Sequence, residues 1–196
     1  ELDAAWAART PATRRAVART TVDKLTPHRK AFGAAWRLAR AKCWMANHTP
    51  YYANAGLKAR LGAQAMTHAE RAIKLKPDRV EGHYYHAWAV GQWSLGISIA
   101  SALWNGAEGK ITGSMGRAQR IDRTYDSYGI LRMWGRYWHS LPWPKRNRAK
   151  ALKMLRRGLS KSPHVLRGYA YLAEALIGNG EPKKACAVVA RELARP

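Results

Sequence analysis

Two stretches of this sequence end in proline and share one small-residue pattern, which restricts the chain to closely packed helices. In Gly56 to Pro77, Ala65, Ala69 and Ala72 stand twelve, eight and five residues before the proline. In Arg146 to Pro163, Ala151, Leu155 and Gly158 stand at the same three distances before theirs. Steps of four and three put each trio on one face of an α-helix. Small side chains on such a face let a second helix approach closely. The closing proline lacks an amide hydrogen and ends the helix.

The rest of the chain is punctuated in the same way, by Pro11, Pro27, Pro50, Pro142, Pro144 and Pro182. Alternating strand patterns are absent, and no Asn-Gly or Asp-Gly step joins two of them as a hairpin would. The fold class is therefore all-α. Nine helices are expected, near residues 12–24, 28–46, 57–75, 79–96, 111–121, 127–140, 146–160, 165–177 and 182–194. The uncharged run from Ala87 to Trp104 reads as a buried helix and turn, because Gln92, Ser94, Ser98 and Ser101 dilute it as a membrane span.

After Pro163 come Tyr169, Leu172, Ala173 and Leu176, a Gly-Asn-Gly turn, then Ala185 and Val189. Ala151 and Ala185 lie 34 residues apart, the period of a tetratricopeptide repeat (TPR). On these residues the chain resembles a TPR protein. The resemblance implies a single domain over 1–196, a superhelix of antiparallel pairs: an orphan helix and cap at 1–27, then repeats at 28–77, 78–123, 124–163 and 164–196.

The segments EGHYYHAWAVGQW and TYDSYGILRMWGRYWHSLP carry a narrower likeness, through Gly82, Tyr84, Tyr85, Gly91, Tyr125, Asp126, Gly129, Arg132, Gly135, Tyr137 and Pro142. They are similar to the T component of TRAP transporters, a periplasmic TPR lipoprotein that works with a binding protein for a hydrophobic ligand. The middle section also resembles, more distantly, the regulator of microtubule dynamics family. The T-component likeness implies an exported, periplasmic protein, with the cytoplasm the second reading. The chain starts at Glu1 without Met, which suits either a removed signal segment or a trimmed region.

Charge narrows the partners. Lys and Arg number 35 against 12 Asp and Glu, a net +23, and there are nine Trp and nine Tyr but one Phe. Such a chain folds, and its partners are acidic. In a TPR array the first helix of each pair lines a concave groove. The resemblance turns Arg37, Trp44, Tyr84, Trp88, Arg132, Arg136, His139 and Arg167 into that groove, with Met45, Glu81, Gln92 and Glu174 beside them. Guanidinium forks between rings suit an acidic peptide or an anionic amphiphile. Packing between helices is the competing reading, favoured for Trp134 and Trp138 at i,i+4 spacing and left open for Trp88, Arg132 and Arg136.

A second population of cations lies outside the groove. Lys145, Arg146, Arg148, Lys150, Lys153, Arg156, Arg157 and Lys161 share a stretch, 145–161, that contains no acid. An ordinary solvated face mixes signs, so this one reads as a dock for an acidic surface. Lys58, Arg60, Arg71, Lys74 and Lys76, and Arg117, Arg120 and Arg123, are expected on a solvated convex face.

No metal, cofactor or catalytic residue is expected: HExxH, CxxC, a phosphate loop and a Ser/His/acid constellation are all missing from the sequence pattern. Cys43 and Cys186 suggest no disulfide framework. Specific nucleic-acid recognition has no motif to carry it. The leading reading is a non-catalytic adaptor or scaffold that docks an acidic protein through its basic surface and its groove. Replacing Arg132 and Arg136 with Glu is expected to abolish capture without loss of stability. The alternatives are a transport component holding a lipid or other amphiphile, and a structural subunit of a larger assembly. Self-association is compatible with all three.

Overall fold

The computed structural model describes residues 1–194. Every regular element among them is an α-helix, as the proline-punctuated pattern predicts. Eleven are present rather than nine. The first seven are α1 (Leu2–Ala7), α2 (Arg14–Leu25), α3 (Phe32–Asn47), α4 (Tyr51–Leu75), α5 (Val80–Ile97), α6 (Ile99–Trp104) and α7 (Ala107–Ile121). The other four are α8 (Tyr125–Ser140), α9 (Arg148–Lys161), α10 (Leu166–Gly178) and α11 (Pro182–Leu193). The two unexpected elements, α1 and α6, have six residues each. That is too short to display a hydrophobic period and too short to persist without tertiary contacts. Among the described residues, no helix is long and apolar enough to cross a membrane.

The chain forms two compact units, Glu1–Ile121 and the described residues from Asp122 onward. In both, consecutive helices pack on one another, and α3 also packs on α5, α5 on α7 and α8 on α10, consistent with the packing of a helical repeat.

In the first unit α4 and α5 run antiparallel with their backbones in contact. A β-carbon at Gly62 would lie 2.5 Å from the amide nitrogen of Trp93, and one at Gly96 would lie 2.4 Å from that of Ala59. Only glycine fits either place. Ala65, Ala69 and Ala72 are fully buried along α4, as the small-residue face requires. Regular geometry in α4 breaks at Asn54, whose side-chain oxygen accepts the Leu57 amide at 2.9 Å and so caps the long helix that follows. Helix α5 has one acid and no Lys or Arg. Apolar on all sides, it is packed by α3, α4, α6 and α7 and forms the centre of the unit.

In the second unit α8 and α9 form an antiparallel hairpin, with Gly135 so close to Leu155 that a β-carbon would meet its side chain at 2.4 Å. Ala151, Leu155 and Gly158 are buried, and Leu155 joins Leu172, Ala173, Ala175, Leu176 and Ala185 in the core over α10 and α11. Burial of each leucine stabilises by about 1.5–3 kcal/mol. The turn into α11 uses Gly180 at φ +78°.

Candidate functional site

The acid-free stretch becomes a one-sided face. Asn147 caps α9 by accepting the Lys150 amide at 2.8 Å, and the apolar trio then turns toward the core. Lys145 and Arg146 just before the helix, and Arg148, Lys150, Lys153, Arg156, Arg157 and Lys161 along it, are all exposed. Among their local contacts, Arg146 Nε donates to the Leu141 carbonyl at 2.8 Å, and the Lys150 ammonium sits 4.4 Å from the Trp138 ring centre. Just before the row, Trp143 is 88% exposed.

The arginines of α8 behave otherwise. Asp126, Ser127 and Tyr128 occupy the left-handed region, with φ of 51°, 50° and 57°. None is glycine, and each left-handed residue costs roughly 1–2 kcal/mol. Arg132 grips this turn: Nη1 donates to the Ser127 carbonyl at 2.5 Å, and Nη2 donates to the Asp126 carbonyl at 2.6 Å and to its carboxylate at 2.8 Å. At 5% exposure its donors serve its own segment. This corrects the groove reading of Arg132, and with it the expectation that Arg132 tolerates reversal to Glu. Nothing in the local sequence signals a left-handed turn there.

Arg136 is half-buried, ion-paired with Glu174 and 4.7 Å from the Tyr171 ring centre. Burial lowers its basicity. His139 packs beside Gly178; burial lowers its pKa, and Arg136, Arg146 and Arg148 lower it further. Trp134 and Trp138 stack at 6.4 Å. Arg167 is half-buried on the first turn of α10.

In the first unit the expected groove on α5 is filled. Tyr84, Glu81 and Gln92 are buried and Trp88 half-buried, because α5 is surrounded. Trp44, also expected in the groove, is buried at 4% exposure, edge-on to Trp6 at 6.4 Å and stacked on His48 at 3.9 Å. Arg37 is half-buried: its Nε donates to both Asp3 oxygens at 3.0 Å, and Nη2 bonds the same carboxylate. Lys58 leaves the convex face altogether. Buried, it donates from Nζ to the Ala46 carbonyl at 2.6 Å and to Gln92 Oε1 at 3.2 Å, a cation placed at the carbonyl end of α3. Burial lowers its pKa.

One constellation the sequence pattern does not disclose links α4, α5 and α7. His86 Nδ1 lies 2.7 Å from Ser114 Oγ, and His86 Nε2 lies 3.5 Å from Glu70 Oε1. Burial lowers the His86 pKa, and the Glu70 charge opposes that in part. Ser114 is buried in the middle of α7, where backbone amides are engaged along the helix and none is left to receive an oxyanion. The trio is a polar bridge between helices. Cys43 and Cys186 are free thiols; Cys43 is buried, which raises its pKa and leaves it unreactive. Among the described residues, no three His, Cys, Asp or Glu side chains gather as a metal set.

All eight cations of the 145–161 stretch thus meet solvent, as do the three of the smaller cluster Arg117, Arg120 and Arg123. Against known proteins, the family model described as regulator of microtubule dynamics protein 1-3 matches residues 10–195. No curated protein matches the chain. The family match lends no support to the T-component resemblance or to the transport role it implied.

Proposed function

The chain belongs to the regulator of microtubule dynamics protein 1-3 family, not a known family of enzymes, and from that premise we propose that it is a non-catalytic helical adaptor whose α9 face docks an acidic protein surface. One observation carries the reading: eight cations of an acid-free stretch are all exposed, two just before α9 and six along it, on a helix whose other side is core. Like charges so arranged repel one another, and an acidic partner relieves that repulsion while steering the encounter. The groove reading narrows to residues within each unit that keep some exposure, Arg136, His139 and Arg167 in the second.

The family's name makes a microtubule the first protein surface to test. In co-sedimentation, Lys153→Glu/Arg156→Glu/Arg157→Glu should weaken binding about tenfold or more, and added salt should weaken binding of the unaltered protein. Equal binding by the variant, or binding indifferent to salt, would sink the α9 reading.

A further inference from the structure

Helix α1 meets α3 through two anchors on one surface, and Trp6 also packs on Val17, Ala18 and Val22 of α2. Asp3 accepts Arg37 through both Nε and Nη2 and accepts Arg40 Nη2 at 2.9 Å. Three residues on, Trp6 is 8% exposed and meets Trp44 edge-on. Its ring also lies 4.3 Å from the Arg40 guanidinium carbon, which in turn lies 4.9 Å from the Trp36 ring centre. The intervening Ala4 and Ala5 are exposed. Spacing of i,i+3 puts carboxylate and indole on one helical face, so α1 touches α3 as a short motif, acid then aromatic, and through little else.

On the receiving side Arg40 is itself 8% exposed, and its Nε is buried without a hydrogen-bond partner. A buried guanidinium between two indoles requires an anion beside it, and Asp3 supplies that anion from a six-residue helix. Ordering six residues costs conformational entropy of the same order as one buried indole and a half-exposed ion pair return. The occupant is therefore held weakly, while the face it covers has the composition of a binding hot spot: Trp and Arg, desolvated at the centre.

We infer that the Trp36, Arg37, Arg40 and Trp44 face of α3 receives a helical segment of a partner protein bearing an acidic residue followed three positions later by an aromatic one, with α1 its built-in competitor. The site lies in the first unit and is independent of the α9 face.

The probe is a fluorescein-labelled peptide of residues 1–9, ELDAAWAAR, followed by anisotropy. The full chain carrying Asp3→Lys/Trp6→Ala, with α1 released, should bind it roughly tenfold or more tightly than the unaltered chain does. Peptides carrying Asp3→Asn or Trp6→Ala, or adding Arg37→Glu to the opened chain, should each remove about tenfold in affinity. The α9 triple reversal should leave peptide binding unchanged, which separates failure here from failure of the α9 reading. An opened chain with intact far-UV dichroism that ignores the peptide, or binds all three peptides alike, overturns the inference. So does a dimer of the unaltered protein that Asp3→Lys/Trp6→Ala makes monomeric, since the occupant is then a second copy. If the opened chain loses its helical signal, hydrogen exchange on the unaltered protein decides. Excess peptide should speed exchange at the Ala5 and Ala8 amides, which bond Glu1 and Ala4 within α1; no change overturns the inference.

Discussion

Helices α8 and α9 are the two arms of one hairpin, both rich in cations, and they use them in opposite ways. On α8, Arg132 is buried around a left-handed turn and Arg136 is paired with Glu174 over a tyrosine ring. On α9, every Lys and Arg is exposed and the buried side is Ala, Leu and Gly. The difference lies in what is within reach. An α8 arginine finds a carboxylate or a backbone carbonyl inside its own unit, whereas 145–161 contains no acid. A count of +23 therefore mixes cations that hold the fold with cations that face outward.

The sharpest way to break this contrast is to treat an α8 arginine as if it belonged to α9. Arg132→Glu buries a carboxylate beside Asp126 and releases three bonds to a left-handed turn. Urea denaturation should register a loss of at least about 3 kcal/mol. An unchanged midpoint would mean that Arg132 is as dispensable as a surface charge. Next in size, the two sides of α9 should differ from each other. Leu155→Ala should cost about 2–4 kcal/mol, while Arg156→Gln and Arg157→Gln, on the outer side, should each stay within about 0.5 kcal/mol. Similar losses on both sides would remove the one-sided helix on which the docking face depends.

That contrast was only half legible in the sequence. The buried side of α9 was, because Ala151, Leu155 and Gly158 repeat the spacing of Ala65, Ala69 and Ala72, and periodicity reports which face packs. Its outer side was legible too, from the missing acids. The role of Arg132 was not, since it depends on three residues with positive φ that are neither glycine nor asparagine. Nor was the pairing of Arg37 with Asp3, 34 residues away, which no local pattern encodes. The near absence of charge in α5 was a readable sign that it lies at the centre, yet a repeat register assigned it a groove face. The register identifies which helix comes first in a pair; it does not say how many neighbours then cover it.

The smallest expected effect tests whether the two arms feel each other. His139 on α8 is half-buried, and its pKa is lowered first by burial, then by Arg136 on its own helix and by Arg146 and Arg148 at the start of the basic row. The folded chain thus favours neutral imidazole more than the unfolded chain does. The sign follows: the stability contributed is present above the unfolded value near 6.5 and is lost as pH falls through that value toward the lower folded one. Denaturation midpoints should decline over that window, and His139→Gln should flatten the decline. Arg146→Gln/Arg148→Gln should raise the His139 pKa followed by NMR, by less than the loss of burial would but in a definite direction. If the imidazole titrates identically with and without those two charges, the row on α9 is screened from α8 by solvent, and the arms of the hairpin are electrostatically separate as well as opposite in use.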